Sequence, residues 1–214
     1  MVPLSLEVFL GTLEDFNRMI RPMQMLAAAF GLVALWVVLR PQQLSSRLVG
    51  LILASSWAAT GLFYHLSTFA ELNFWDYPIG LTFLAQALIL FWTGAVANRF
   101  SVGPAVGTPH HIGLAVGFYA LAGAPLIGIA TGRSWAEVGY FAISPGPTIL
   151  FTVGVLLMLN GRSLVGLWVL PLLAAVPVTI LGSSLALLED AAVLPIVAFA
   201  LFMRFRHGIG TTTA

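Results

Sequence analysis

Apolar positions run in long, nearly unbroken stretches along this chain, and the polar ones gather at their ends. A spanning helix needs about 20 mostly apolar residues. Seven stretches approach that length: roughly 22–40, 47–70, 77–97, 111–131, 145–160, 163–187 and 190–206. The fifth is short and opens on Pro145-Gly146-Pro147, which reads as a half-helix continuing the irregular stretch from 138. Between the fifth and the sixth stands only Asn160-Gly161-Arg162, a tight antiparallel turn. Ahead of the first, Phe9, Leu13, Phe16 and Ile20 repeat at four, three and four, which predicts one apolar helix face. Glu7, Glu14, Asp15 and Arg18 fall mainly elsewhere on that helix. It is either an amphipathic helix lying in the outer interface or a helix packed over the mouth of a bundle. The predicted fold is all-α: an N-terminal amphipathic interfacial helix over 1–21, an integral membrane bundle of seven transmembrane helices over 22–206, and a short tail over 207–214.

Composition supports the lipid-facing reading. Of the 214 residues 59% are hydrophobic and 8% charged, with a mean hydropathy of +0.99; a soluble domain carries about 25% charged residues. So few charges cannot cover a water-facing surface. Nine arginines, eight carboxylates and no lysine leave a net charge of +1, and no basic run marks a nucleic-acid surface. The absence of cysteine excludes disulfides, thiolate metal sites and Fe–S clusters. The absence of lysine excludes a Schiff base, and with it a retinal pigment or an internal-aldimine enzyme. The N-terminal MVPLSLEVF lacks a basic n-region and carries Glu7, unlike a cleaved signal peptide.

The charges also give a direction. With seven alternating spans, the loops near 41–46, 98–110 and 161–162 share a side with the C-terminus. That side holds Arg40, Arg47, Arg99, Arg162, Arg204 and Arg206 and no carboxylate. The other side holds Arg18, Arg21, Arg133 and all eight acids. Six arginines against three place the C-terminus in the cytoplasm and the N-terminus in the periplasm. LVGL recurs at 48–51 and 164–167, each time after an arginine-containing turn, so spans 1–3 and 5–7 are candidates for a parallel repeat with span 4 as linker.

Polar groups inside the stretches fall in stripes. Ser56, Thr60, Tyr64 and Thr68 lie four apart; Thr82 with Gln86, Thr148 with Thr152, and Thr179 with Ser183 repeat the spacing. A hydroxyl facing lipid has no partner, so these stripes face inward, either as hydrogen-bonding glue between helices or as the lining of a cavity. No Asp, Glu or Arg occupies the middle of a span, which disfavours a proton-driven carrier but not uniport of a neutral solute. His65 lies six residues before Glu71, hence roughly 9 Å below it at the helical rise, near the outer interface.

The stretch GLFYHLSTFAELNFWDY at 61–77 gathers the densest chemistry. Tyr64, His65, Glu71, Asn73 and Asp76 come from it, and the outer segments carrying Arg133, Glu137, Ser183, Glu189 and Asp190 converge on the same side. Imidazole and carboxylate are usual metal ligands, but one histidine leaves a metal site open rather than indicated. Phe69, Phe74, Trp75 and Tyr77 also suit an aromatic belt at the lipid boundary. There is no H-E-x-x-H, no G-x-S-x-G and no glycine-rich phosphate loop, so neither catalysis nor a cofactor is expected. Ser183-Ser184 with His65 is the one conceivable nucleophile and base.

YHLSTFAELN, PTILFT and GSSLALLED, in that order, resemble an uncharacterised bacterial family of polytopic membrane proteins, domain of unknown function six-zero-six-four. The resemblance runs over nearly the whole chain and carries over Tyr64, His65, Asn73, Pro147, Thr148, Thr152, Ser183, Glu189 and Asp190. It departs at Phe74 and Gly146, where the family pattern has proline and cysteine. What it implies is a bacterial inner-membrane location and no reaction. Two functions stay open. One is a binder or facilitator of a small neutral solute, with Tyr64, His65, Glu71, Asn73, Asp76, Gln86, Thr148, Thr152, Ser183, Glu189 and Asp190 around a pocket open to the periplasm. The other is a non-catalytic accessory subunit docked against other membrane subunits. In either, the lipid bilayer is a partner and nucleic acid is not.

Overall fold

Every one of the seven apolar stretches folds as helix, and no strand forms among the described residues of this computed structural model, 5–40, 44–101, 107–159 and 166–209. The elements are α1 (Leu6–Met19), α2 (Met23–Leu39), α3 (Ser45–Glu71), α4 (Asp76–Val96), α5 (Thr108–Ala130), α6 (Pro145–Met158), α7 (Gly166–Ser184), α8 (Leu188–Ala191) and α9 (Val193–Ile209). Four of them, α3, α4, α5 and α7, are long and apolar enough to cross a membrane. The pair α1 and α2 meets that standard only together, across a bend of 82°. The described helices thus give four or five candidate crossings where the apolar pattern predicts seven. Length makes the difference: α2 and α9 have 17 residues and α6 has 14. At the helical rise α6 is about 21 Å long, against a hydrocarbon core of about 30 Å. The turn at Asn160-Gly161-Arg162 and the first half of the second LVGL lie outside the described residues, as do 210–214 of the expected tail.

All 14 residues of α6 are buried, which makes it the central post of the bundle. It is apolar on every side, as a helix wrapped by others must be. Where α6 crosses α5 the backbones touch: a methyl on Gly154 would lie 2.7 Å from the Gly113 carbonyl oxygen and 2.8 Å from the Gly117 nitrogen. Trp57 of α3 packs at a tilt of 33° against Phe83 of α4 with ring centroids 4.4 Å apart, both fully buried. Burying a ring of that kind contributes about 1.5–3 kcal/mol.

The polar stripes face inward only in part: Thr68 and Thr82 bond back to carbonyls of their own helices and Ser183 is exposed, while others close contacts between helices. Thr60, Gln86, Thr148 and Thr152 have no exposure at all. Trp57 Nε1–H donates to Thr152 Oγ1 at 2.7 Å, and the Thr60 and Thr148 hydroxyls meet at 3.1 Å. Thr148 Oγ1 also accepts the Ala142 N–H at 3.0 Å, which holds Ala142 at φ +63° in the turn leading into α6. Gln86 Nε2 donates to the Leu167 carbonyl at 3.0 Å. Within the interior, then, these side chains act as the glue between helices.

The helix α1 lies over the end of α3. Ser5 Oγ accepts the Val8 N–H at 3.3 Å and starts it. Its apolar face, Phe9, Leu13 and Phe16, is 2–3% exposed and meets Phe69 and Tyr64. Asn17, fully buried on the same helix, donates to the carbonyls of Ala136 at 2.8 Å and Val138 at 3.0 Å, so α1 also clamps the irregular stretch between α5 and α6. Away from these contacts, large apolar side chains stand outward: Leu88 is 70%, Trp92 62%, Leu126 60% and Ile180 62% exposed.

Candidate functional site

In a regular α-helix neighbouring residues point about 100° apart, and only one of Tyr64 and His65 could face fully inward. From Thr60 to Leu66 the helix α3 loosens into a π turn, and both side chains are buried, at 4% and 3% exposure. Such turns concentrate at functional sites. His65 Nδ1–H donates to Asp76 Oδ1 at 2.7 Å. A carboxylate only accepts, which places the proton on Nδ1. Asp76 is the first residue of α4, so the two helices meet through this pair. Nε2 of the same ring is buried without a partner, a situation that costs about 1–3 kcal/mol.

The opposite wall comes from α8. Glu189 is 5% exposed and pairs with Arg133, which reaches in from the stretch after α5. Asp190 is the next residue, half-buried, and only its backbone carbonyl is engaged, by Thr179 Oγ1 at 3.3 Å. Its carboxylate makes no hydrogen bond and no ion pair among the described residues, though Arg133 is near enough to act on its charge. Gly146 makes room for it, because a methyl there would collide with Oδ1. The seventh stretch, expected from 190, becomes the long helix α9 only from Val193, so Asp190 stands on α8, the connector after α7. Burial pushes its carboxyl from 3.8 up to about 7, with Glu189 adding to the rise and Arg133 opposing it. Glu137, on the surface nearby, goes the other way: the Ser134 backbone N–H donates to it at 2.7 Å and holds it below the usual range.

Between these walls lies a cavity of about 440 Å³, lined by Tyr64, His65, Asn73, Asp76 and Asp190, with Ser184 beside them. Phe9, Phe69 and Trp75 supply aromatic walls. A second cavity of about 460 Å³ opens at the elbow of α1 and α2; it is apolar apart from Ser55, Ser56 and Arg21, whose guanidinium lies 4.7 Å above the Trp135 ring.

A model of the family described as "Family of unknown function (DUF6064)" matches residues 6–209. The chain belongs to DUF6064. The match takes in α1 to α9 and with them every residue of the cavity. No curated protein and no solved structure matches the chain.

In this DUF6064 chain the site residues expected from the sequence fall into two groups. Tyr64, His65, Asn73, Asp76 and Asp190 come together at one cavity. The others stand elsewhere. Glu71 is exposed outside it, Glu189 is committed to Arg133, and Ser183 points away while its neighbour Ser184 takes the place at the wall. Gln86, Thr148 and Thr152 belong to the packed interior. Among the described residues no three His, Asp or Glu side chains converge to hold a metal ion. Ser184 Oγ donates to the Ile180 carbonyl at 2.8 Å, so it is not poised on His65. Phe9 and Ser184 line the cavity and were not among the site residues expected from sequence. Phe9 could have been found from the apolar face of α1; the pairing of Arg133 with Glu189, 56 residues apart, left no local signal.

Proposed function

We propose that this DUF6064 chain is a bacterial inner-membrane protein that crosses the bilayer seven times, lays α1 on the periplasmic surface and binds a small solute in the cavity between α3, α7 and α8. Supporting the membrane reading are the four long apolar helices, the large apolar side chains on their outer faces and the sorting of every carboxylate to one side. The observation that carries the binding reading is the cavity itself, where five polar residues from three separate segments converge within about 440 Å³, inside the size range of small-molecule sites. Binding is better supported than passage. One turn further in, Thr60, Thr148 and Thr152 are fully buried and bonded to one another or to Trp57, which leaves them no surface to offer a moving solute.

Native mass spectrometry of the chain released from its own membrane tests this. A small co-purifying mass is expected on the wild type and is expected to be lost in Ser184→Trp, which fills the cavity. A wild type without any such mass, or a mass that survives the filling, overturns the binding reading. The accessory-subunit reading draws on one observation, the outward aromatic side chains Trp36 and Trp92 at 55% and 62% exposure. Blue-native electrophoresis from the native membrane decides it: migration as a lone small species excludes a stable complex.

A further inference from the structure

We infer that the second cavity, at the elbow of α1 and α2, seats one phospholipid of net negative charge, with its phosphate on Arg21 and part of one acyl chain between α2 and α3. This rests on the reading that the chain lies in a bilayer with the elbow at headgroup level. It does not draw on the solute cavity.

The slot has the lining and the shape of a hydrocarbon site. Phe16 and Ile20 close it at the elbow, and Leu26 and Phe30 of α2 line it together with Ile52 and Phe63 of α3. Along α2 it runs from Met23 to Phe30, seven residues and about 10 Å at the helical rise. That is about a third of a hydrocarbon core of about 30 Å. Helices that cross a bilayer run roughly parallel to the surrounding acyl chains, so a slot elongated along two of them accepts a chain lengthwise. Its outer side is open, since Phe30 and Phe63 are each 57% exposed, and a chain enters sideways without passing through water. The two serines do not make the slot polar. Ser55 Oγ donates to the Leu51 carbonyl at 2.7 Å and Ser56 Oγ to the Ile52 carbonyl at 2.7 Å, both within α3.

Charge selects the headgroup. Among the described residues Arg21 is the one charged side chain on the slot, and no carboxylate lines it. Its guanidinium lies 4.7 Å from the centre of the Trp135 ring and makes no hydrogen bond or ion pair among the described residues. Attraction to a ring face consumes no N–H donor, so the donor fork stays open to a phosphate. Arg18, 6.0 Å from the same ring, is already paired with Glu14 at 2.7 Å. Arg21 therefore leaves one unmatched positive charge at the mouth of an apolar slot, which matches an anionic head on an apolar tail. A zwitterionic headgroup carries its own cation, which competes with Arg21 for the phosphate; phosphatidylglycerol carries none.

The test places the full chain in nanodiscs of equal parts phosphatidylglycerol and phosphatidylcholine with the same acyl chains. Native mass spectrometry then counts the lipids that stay on the chain when it is ejected, and their known masses separate them from any solute of the other cavity. Retained phosphatidylglycerol should exceed retained phosphatidylcholine about threefold or more on the wild type. Arg21→Gln should abolish that excess, and Ser55→Trp, which fills the slot from its exposed wall, should lower retention of both lipids. Equal retention on the wild type, or an excess that survives Arg21→Gln, overturns the headgroup assignment; undiminished retention in a folded Ser55→Trp overturns the slot as the seat. If Ser55→Trp does not fold, as judged by thermal unfolding, the wild type and Arg21→Gln decide alone. A chain that separates from the nanodiscs in size-exclusion chromatography removes the bilayer reading and this inference with it. One that stays with them but shows no excess removes this inference alone.

Discussion

Glu189 and Asp190 are neighbours in sequence with different surroundings: one carboxylate is paired with Arg133, and the other feels that arginine without pairing to it. The folded-state value of Asp190 lies above its value in the unfolded chain, so ionising it opposes folding. That penalty is absent below 3.8, grows as the pH rises, and is complete above about 7. Its upper bound is about 4 kcal/mol, less whatever the cavity's water gives back. Asp190→Asn should therefore unfold at a higher temperature than the wild type at about pH 8; the gap should shrink to less than half at about pH 5 and close only as the pH falls below 3.8. A gap of the same size at both would place its origin elsewhere. For the neighbouring pair, Arg133→Met leaves Glu189 buried alone and should cost about 3–5 kcal/mol. Adding Glu189→Leu should recover most of the loss, as read from denaturant unfolding. At this scale the sequence was partly legible. His65 and Asp76 lie eleven residues apart across one turn, close enough to be paired on inspection. The space for Asp190, by contrast, depends on Gly146 in a segment 44 residues earlier.

At the level of elements, the long apolar runs made the helices readable, because burial of a continuous hydrophobic stretch leaves the backbone no other way to satisfy its polar groups. The π turn at Thr60–Leu66 was not readable. It shifts hydrogen bonds by one residue and leaves the hydrophobic period almost unchanged, so Tyr64 was assigned to a stripe and His65 only to a depth near the outer interface. The role of α1 was readable only as two alternatives, since the same apolar face suits a membrane surface and a protein surface. Its clamp can be tested directly. Asn17→Ala removes two buried hydrogen bonds and should cost about 1–3 kcal/mol. It should also make the stretch around Ala136–Val138 more open to limited proteolysis while α3 and α4 stay resistant. Gly154→Leu should be harsher, because the added side chain meets the α5 backbone; loss of the folded species in size-exclusion chromatography is the expected result.

For the molecule as a whole, the expected sorting of charge uses no three-dimensional information and rests only on a count of segments. The count itself exceeds what length supports, since α2, α6 and α9 each fall short of a full crossing. A chain without cysteine allows a clean check of seven crossings. Asn73→Cys should react with a membrane-impermeant maleimide on intact spheroplasts, and Arg206→Cys only after lysis. Reaction of both from outside would require an even number of crossings. The central helix α6 also bears on assembly. Every face of it is covered by protein in the folded chain. Ribosomes deliver it after α3 and before α7, α8 and α9, so during synthesis its threonines find Trp57 and Thr60 already made, while its apolar faces wait for the last third of the chain to cover them.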